Sequence, residues 1–239
     1  MDDPEAIRFI GLDYYETVVR VTPRMRLQVF DRVGREIGLG LADGELGTRW
    51  LQLPSEEWPF DGPTPPFRPL HQIWTERGRA LLRELGAEVG GEIVAQRYSE
   101  FHATLRPSAE DVAVLADLAT RHILGVLSDA DAEHLLPSIG GCGLRFEVVV
   151  LSEELGNYKP HIGAFMALAR RAGVKPTEIL YVGDAPCTDI AGAKRAGMWT
   201  AWVNRVGSAW PRSLEPPDLE IGELAQLPAW LSDHATNEF

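Results

Sequence analysis

The stretch Ile179-Leu180-Tyr181-Val182-Gly183-Asp184, with Asp189-Ile190-Ala191-Gly192-Ala193 close behind it, decides the fold of this chain. A short apolar run rich in β-formers ends in Gly-Asp, a second Asp follows five residues on, and an Ala/Gly/Lys helical pattern begins at once. The pattern puts a buried strand beneath two carboxylates at its C-terminal rim, where open α/β sheets bind their ligands. Two acids at one strand tip repel each other and are costly to desolvate, so such pairs usually share a hard cation such as Mg²⁺. Asp189 alone also reads as an N-cap for the helix that follows. What else converges on this rim decides between the two.

Working outward, the second half of the chain alternates between short β runs and helical patterns. A helix is expected near Glu110–Ala119, then strands at Ile123–Leu127, Phe146–Leu151 and Thr200–Val203 besides Ile179–Val182. Such alternation builds a parallel sheet covered on both faces. A further strand, Ile7–Leu12, ends at Asp13 but stands about 90 residues of helical pattern away from the others. Within that stretch apolar residues recur at helical spacing in Leu27, Val29, Phe30, Val33 and Ile37, and again in Ile73, Trp74, Leu81, Leu82 and Leu85. Prolines 59, 63, 65, 66 and 69 make the segment between them a loop. The expected fold is α/β: a Rossmann-like parallel sheet core with helices on both faces, formed by residues 1–19 and 107–239. An all-α cap domain, residues 20–106, is inserted after the first strand.

Composition sets outer limits. At 239 residues and 45% hydrophobic the chain can bury a full enzyme core. A net charge of −12 argues against nucleic acid or an anionic membrane as partner, while a metal and one Lys can reverse the sign inside a cleft. Two cysteines, Cys142 and Cys187, without metal-type spacing indicate a reducing compartment. The start, Met1-Asp2-Asp3-Pro4-Glu5, does not read as a signal peptide, and no apolar run is of membrane length. A cytoplasmic enzyme, monomer or homodimer, is expected.

Three other strand ends carry chemistry-bearing residues. Asp13-Tyr14-Tyr15-Glu16-Thr17 offers an acid with a Thr four residues on, and Val126-Leu127-Ser128-Asp129 offers a hydroxyl. Ser152-Glu153-Glu154-Leu155-Gly156-Asn157-Tyr158-Lys159-Pro160 offers a Lys just before a helix around Ala164–Ala172. Taken singly, these are a cap, a turn and a solvated lysine. Together they form an ordered set of acid, hydroxyl, Lys and paired acids, each at or just beyond a strand end.

With those residues in place, the chain resembles the haloacid dehalogenase superfamily, in the group whose helical cap follows the first motif. Asp13 with Thr17 resembles the first motif, Ser128 the second, Lys159-Pro160 the third, and Gly183-Asp184 with Asp189 the fourth. Ala201-Trp202-Val203-Asn204-Arg205 and the tail from Pro216-Pro217-Asp218 to Leu224, Leu227 and Pro228 are similar to the family as well. The resemblance implies that Asp13 attacks a small phosphorylated substrate to form an aspartyl-phosphate that water then hydrolyses. It implies Mg²⁺ held by Asp13, the backbone carbonyl of Tyr15 and Asp184, with Asp189 supporting the metal directly or through water. Ser128 would donate to a phosphate oxygen, Lys159 would neutralise charge between Asp13 and the transferring group, and Thr17 would fix the loop.

One position departs from the pattern. Family phosphatases usually carry an Asp two residues after the nucleophile as acid and base; here it is Tyr15, and a phenol titrating near 10 is a poor base at neutral pH. Glu16 either substitutes or is a solvated loop acid, the latter being favoured. Tyr15 also resembles the L-2-haloacid dehalogenases, whose halide leaving group needs no proton. That branch is metal-independent and binds substrate with cap arginines, for which Arg26, Arg35 and Arg49 are candidates against an ordinary surface role. The readings are thus a Mg²⁺-dependent phosphatase, a binding or regulatory protein with degenerate catalysis, and a 2-haloacid dehalogenase. In the cap, Trp50, Trp58, Phe60, Phe67 and Trp74 are aromatic. Trp74 is expected in the bundle, and the loop from Trp58 to Phe67 is the better candidate for substrate contact. His161 either replaces part of the missing base or caps its helix, and Cys187 is expected as a partly buried filler.

Overall fold

The computed structural model describes residues 7–53, 66–87 and 90–235. Its centre is β1 (Phe9–Leu12), four residues all buried, as a strand covered on both faces must be. With β2 (Ile123–Ser128), β3 (Val148–Leu151), β4 (Ile179–Gly183), β5 (Trp199–Val203) and β6 (Leu219–Ile221) it forms one six-stranded sheet in the order β3-β2-β1-β4-β5-β6. Every pairing is parallel. This order is that of the doubly wound dinucleotide-binding sheets, and its direction reverses beside β1. The edge strand β6, only three residues with a charged middle, is too short for periodicity to reveal and was absent from the sequence expectation.

Successive residues of β1 point to opposite faces and seed two cores. Ile10 and Leu12 pack with Leu124, Val126, Leu180 and Val182 against helices α5 (Ala109–Leu118) and α10 (Leu227–Ala235). Phe9 packs with Leu127, Val150, Ile179 and Tyr181 against α8 (Ile162–Ala172) and α9 (Ala191–Arg195). Gly11 lets α8 approach, since a Cβ there would lie 2.7 Å from Leu168 Cδ2. The remaining core helices, α6 (Ala132–Gly140) and α7 (Ser152–Leu155), follow β2 and β3.

Between β1 and α5 the elements among the described residues are helices: α1 (Pro23–Glu36), α2 (Glu45–Gln52), α3 (Leu70–Glu84) and α4 (Glu92–Thr104). Thr22 accepts a hydrogen bond from the Met25 amide and Pro23 opens α1, the combination that starts helices well. The cap has its own core of Phe30, Val33, Leu46, Trp50, Trp74, Leu82, Val94 and Tyr98. Trp74 is therefore a bundle residue, and so is Trp50. Trp58 and Phe60 lie outside the described residues, while Phe67 stacks on Tyr158 with ring centroids 5.0 Å apart. Among the described residues no helix is long and apolar enough to cross a membrane.

Polar contacts fasten the start of α3 to the core. The Asp131 carboxylate accepts from the Leu70 and His71 amides at 2.9 and 2.7 Å, taking two donors that a helix N-terminus otherwise leaves unpaired. Tyr158 donates to the Arg68 carbonyl at 2.7 Å. Near this seam Trp74 stacks on His102, and His134 lies 5.1 Å from Trp74. Burial pushes the His102 imidazolium down to about 4 and that of His134 down to about 3. Both rings are therefore neutral in the folded state at pH 5, whereas an unfolded imidazole titrates near 6.5. Their share of stability is complete above that value and drains away as pH falls toward 4 and 3. The Cε1–H resonances of His102 and His134 should accordingly stay flat from pH 8 to pH 5; a midpoint above 6 for either buried ring would contradict this packing.

Candidate active site

Strand register brings the acids together. Leu12 is level with Val126 on one side and Val182 on the other, so Asp13 leaves the sheet beside the tips that carry Ser128 and Asp184. The Asp13 amide extends the ladder to the Val182 carbonyl at 2.9 Å. Asp13, Asp184 and Asp189 each present a carboxylate oxygen within 4.8 Å of the others. Gly183 is required by this approach, because a Cβ there would stand 2.5 Å from both Cβ and Cγ of Asp189. Asp189 sits in a single wide turn, Pro186–Ile190, and folds back to accept from the Ala185 amide at 3.0 Å. It does not cap α9.

Lys159 enters this cluster from the opposite side. Its Nζ donates to Asp13 Oδ1 at 2.6 Å and to Asp189 Oδ1 at 2.7 Å, with all three side chains nearly sealed from solvent. The lysine thus fills the space between two of the three acids. Asp189 has both oxygens engaged, Oδ1 with Lys159 and Oδ2 with the Ala185 amide. Burial would push the Lys159 ammonium down, but Asp13 and Asp189 outweigh it and hold the group well above the ordinary lysine value. One ammonium cannot balance three carboxylates. Burial and the neighbouring acids push Asp13 well above the usual carboxylate range despite Lys159, and burial with Asp189 pushes Asp184 up to about 7. The cluster as built is two charges short of neutrality, and one divalent cation would supply them. The residues fit such an ion: among the described residues the Asp184 carboxylate accepts a hydrogen bond only from Thr17 Oγ1, at 3.2 Å.

The loop after Asp13 is tied down residue by residue. Tyr15 donates its hydroxyl to the His102 and His134 carbonyls, so it bridges α4 to α6, and its ring stands edge-on to His102 at 4.9 Å. Burial pushes its phenol far above the ordinary tyrosine value. Glu16 is neither a solvated acid nor a free base: it is half-buried, paired with Arg26 of α1, and accepts from the Val21 amide. Its φ of 72° is the only left-handed value at a non-glycine position among the described residues, a strain of about 1 kcal/mol. Thr17, fully buried, reaches Asp184 as stated.

Elsewhere the expectations divide. Ser128 is buried at the tip of β2. His161 caps α8, accepting from the Gly163 amide at 3.1 Å. Cys187 is exposed, in contrast to the filler expected of it, because the wide turn pushes it outward. Arg35 pairs with Asp43 and Arg49 with Glu45 on exposed surface, away from the Asp13–Lys159 pair. Asp129, read from sequence as turn chemistry, accepts from the Lys159 amide at 3.0 Å, and burial pushes it up to about 6. Lys159→Met should leave buried carboxylates uncompensated and destabilise the fold by about 3–5 kcal/mol in urea unfolding. Adding Asp189→Asn should return part of that loss; an additive double variant would mean the two side chains are not coupled.

The sequence profile of the haloacid dehalogenase-like hydrolases matches residues 74–203. Among curated proteins, a glyceraldehyde 3-phosphate phosphatase of Methanopyrus kandleri is 34% identical over 178 residues, covering 67% of this chain and 76% of the relative. Among solved structures, a 2-haloacid dehalogenase from Pseudomonas syringae is 26% identical with a TM-score of 0.65, covering 95% and 99% of the two chains. A magnesium-bound hydrolase from Bacillus subtilis, 19% identical, superposes with a TM-score of 0.77 over 95% and 99%, a likeness of fold alone.

Proposed function

This chain belongs to the haloacid dehalogenase-like hydrolases, and from that premise we propose that it is a Mg²⁺-dependent phosphatase of small phosphorylated metabolites, with Asp13 as nucleophile. The observation that carries this reading is the buried charge set of three carboxylates against one ammonium. The glyceraldehyde 3-phosphate phosphatase relative supports the substrate class.

In this reading Asp13, the Tyr15 carbonyl and Asp184 would hold the ion, with Asp189 in support, and the ion would screen the repulsion between the attacking carboxylate and the phosphate dianion. Asp13 attacks phosphorus to give an aspartyl-phosphate as the P–O bond to the leaving group breaks; the leaving oxyanion takes its proton from solvent, and water then cleaves the acyl-phosphate to inorganic phosphate and the free carboxylate. Lys159, held by Asp189, aims Asp13 and opposes the upward push of burial on its carboxyl. Ser128 donates to a phosphate oxygen, and Thr17 holds Asp184. Tyr15 performs no proton transfer, because its hydroxyl is committed to two carbonyls and its phenol is held far from neutral titration. The leaving group then departs with little proton assistance, which favours aryl and acyl phosphates over alkyl phosphates.

A phosphatase screen with and without Mg²⁺ tests the proposal. Turnover should vanish with chelator and fall at least about 10³-fold in Asp13→Asn; activity surviving both would refute it, and absence of any turnover would favour a binding protein. Aryl phosphates should be hydrolysed much faster than alkyl ones, and Tyr15→Asp should narrow that gap while lowering the melting temperature. Equal rates on both classes in the unmodified enzyme would sink the account of Tyr15.

The second reading, a 2-haloacid dehalogenase, is favoured by Tyr15 itself and by the Pseudomonas syringae structure. Against it, Arg35 and Arg49 are spent in surface pairs and Arg26 is neutralised by Glu16. Halide release from 2-haloacids without metal is the outcome that would install it.

A further inference from the structure

Strand β5 contributes no functional group to the cluster, yet its end touches both halves of it. The ladder between β4 and β5 stops at the pair Gly183 and Trp202. Beyond that point the Trp202 indole takes over, its Nε1 donating to the Asp184 carbonyl at 2.8 Å from a side chain only 2% exposed. Three residues on, Arg205 donates from one guanidinium nitrogen to the Glu16 carbonyl and from the other to the Thr17 carbonyl at 2.8 Å. Thr17 in turn holds the Asp184 carboxylate. We infer that Trp202 and Arg205 are positioning residues that fix the separation of Asp13 from Asp184, and so set the affinity of the cation site.

The physical case rests on what else could hold these loops. Glu16 sits in left-handed backbone, which an L-residue keeps only when surrounding contacts over-determine it, and the Arg205 fork supplies two such contacts where the strain is greatest. The Asp184 backbone lies past the last ladder bond, so the indole N–H replaces the missing strand partner. The indole is itself aimed by packing: Trp210 meets it edge-on with centroids 5.0 Å apart.

This inference rests on the metal-dependent reading, and its test separates the two. Trp202→Phe removes the N–H; Trp210→Phe, as a control, removes the edge-on packing and its own bond to the Leu214 carbonyl but keeps the bond to Asp184. Titration calorimetry with Mg²⁺ should show Trp202→Phe binding about five- to tenfold more weakly, the equivalent of one lost hydrogen bond, and Trp210→Phe within twofold of the unmodified protein. Amide exchange of residues 184–189 without metal should speed up in Trp202→Phe and not in Trp210→Phe. If Trp202→Phe folds poorly, Arg205→Lys, which keeps the charge and loses the fork, should show the same exchange increase at residues 15–18. Unchanged exchange in these segments would overturn the inference. If the unmodified protein binds no Mg²⁺, the metal-dependent reading falls while the exchange comparison still decides the positioning role.

Discussion

The arrangement of this molecule turns on one buried ammonium. Lys159 lies between Asp13 and Asp189 with almost no solvent access, and neither carboxylate could stay in that position without it. An unpaired charge in such surroundings costs several kcal/mol, comparable with a large part of a domain's net stability. Three separate segments must therefore meet in register: the end of β1, the loop before α8, and the wide turn after β4. The lysine's own backbone is held by Asp129, so the tip of β2 is bound into the same unit. What gives the rim its order is this shared electrostatic debt, laid over a sheet whose parallel register already brings the strand ends level.

How much of this the sequence disclosed follows from what periodicity can report. It reports which faces are buried and where strands stop, so the core strands, the helical insertion and the positions of Asp13, Ser128, Lys159 and Asp184 were all legible. It does not report which acid a lysine chooses. Two side chains 30 residues apart, Lys159 and Asp189, meet only because the intervening helix and strand return to the same rim. Asp189 consequently read as a metal support or a cap; it does not cap α9, and its bond to Lys159 was not legible. The same limit hid Asp131 and Tyr158, whose partners are backbone groups at residues 68–71 far away in sequence. Cys187 misled for a local reason: a five-residue turn of unusual width reverses which side faces outward.

Tyr15 and Glu16 show how a loop can be committed to architecture at the point where chemistry is expected. A carboxylate at position 15 would have stayed free to trade protons; the phenol is instead spent joining α4 to α6, against two imidazoles that burial keeps neutral. Glu16, the neighbouring acid, is spent on Arg26 and on the Val21 amide at the entry to the insertion. Both side chains thus bind the nucleophile loop to the helical insertion. Neither is left to protonate a leaving group.

The insertion is consequently seated by contacts that begin next to the reacting residues. Tyr158, which precedes Lys159, is buried in the helical core and bonded to the Arg68 carbonyl, while Asp131 holds the first amides of α3. Displacing α3 from the core would expose the Asp131 carboxylate and break the Tyr158 bond, and it would pull on the backbone that carries the ammonium. Because Lys159 is fixed at its amide by Asp129 and at its Nζ by two acids, little slack remains to absorb such a movement. The position of the cap and the placement of the ammonium beside Asp13 are in this way two consequences of one packed seam.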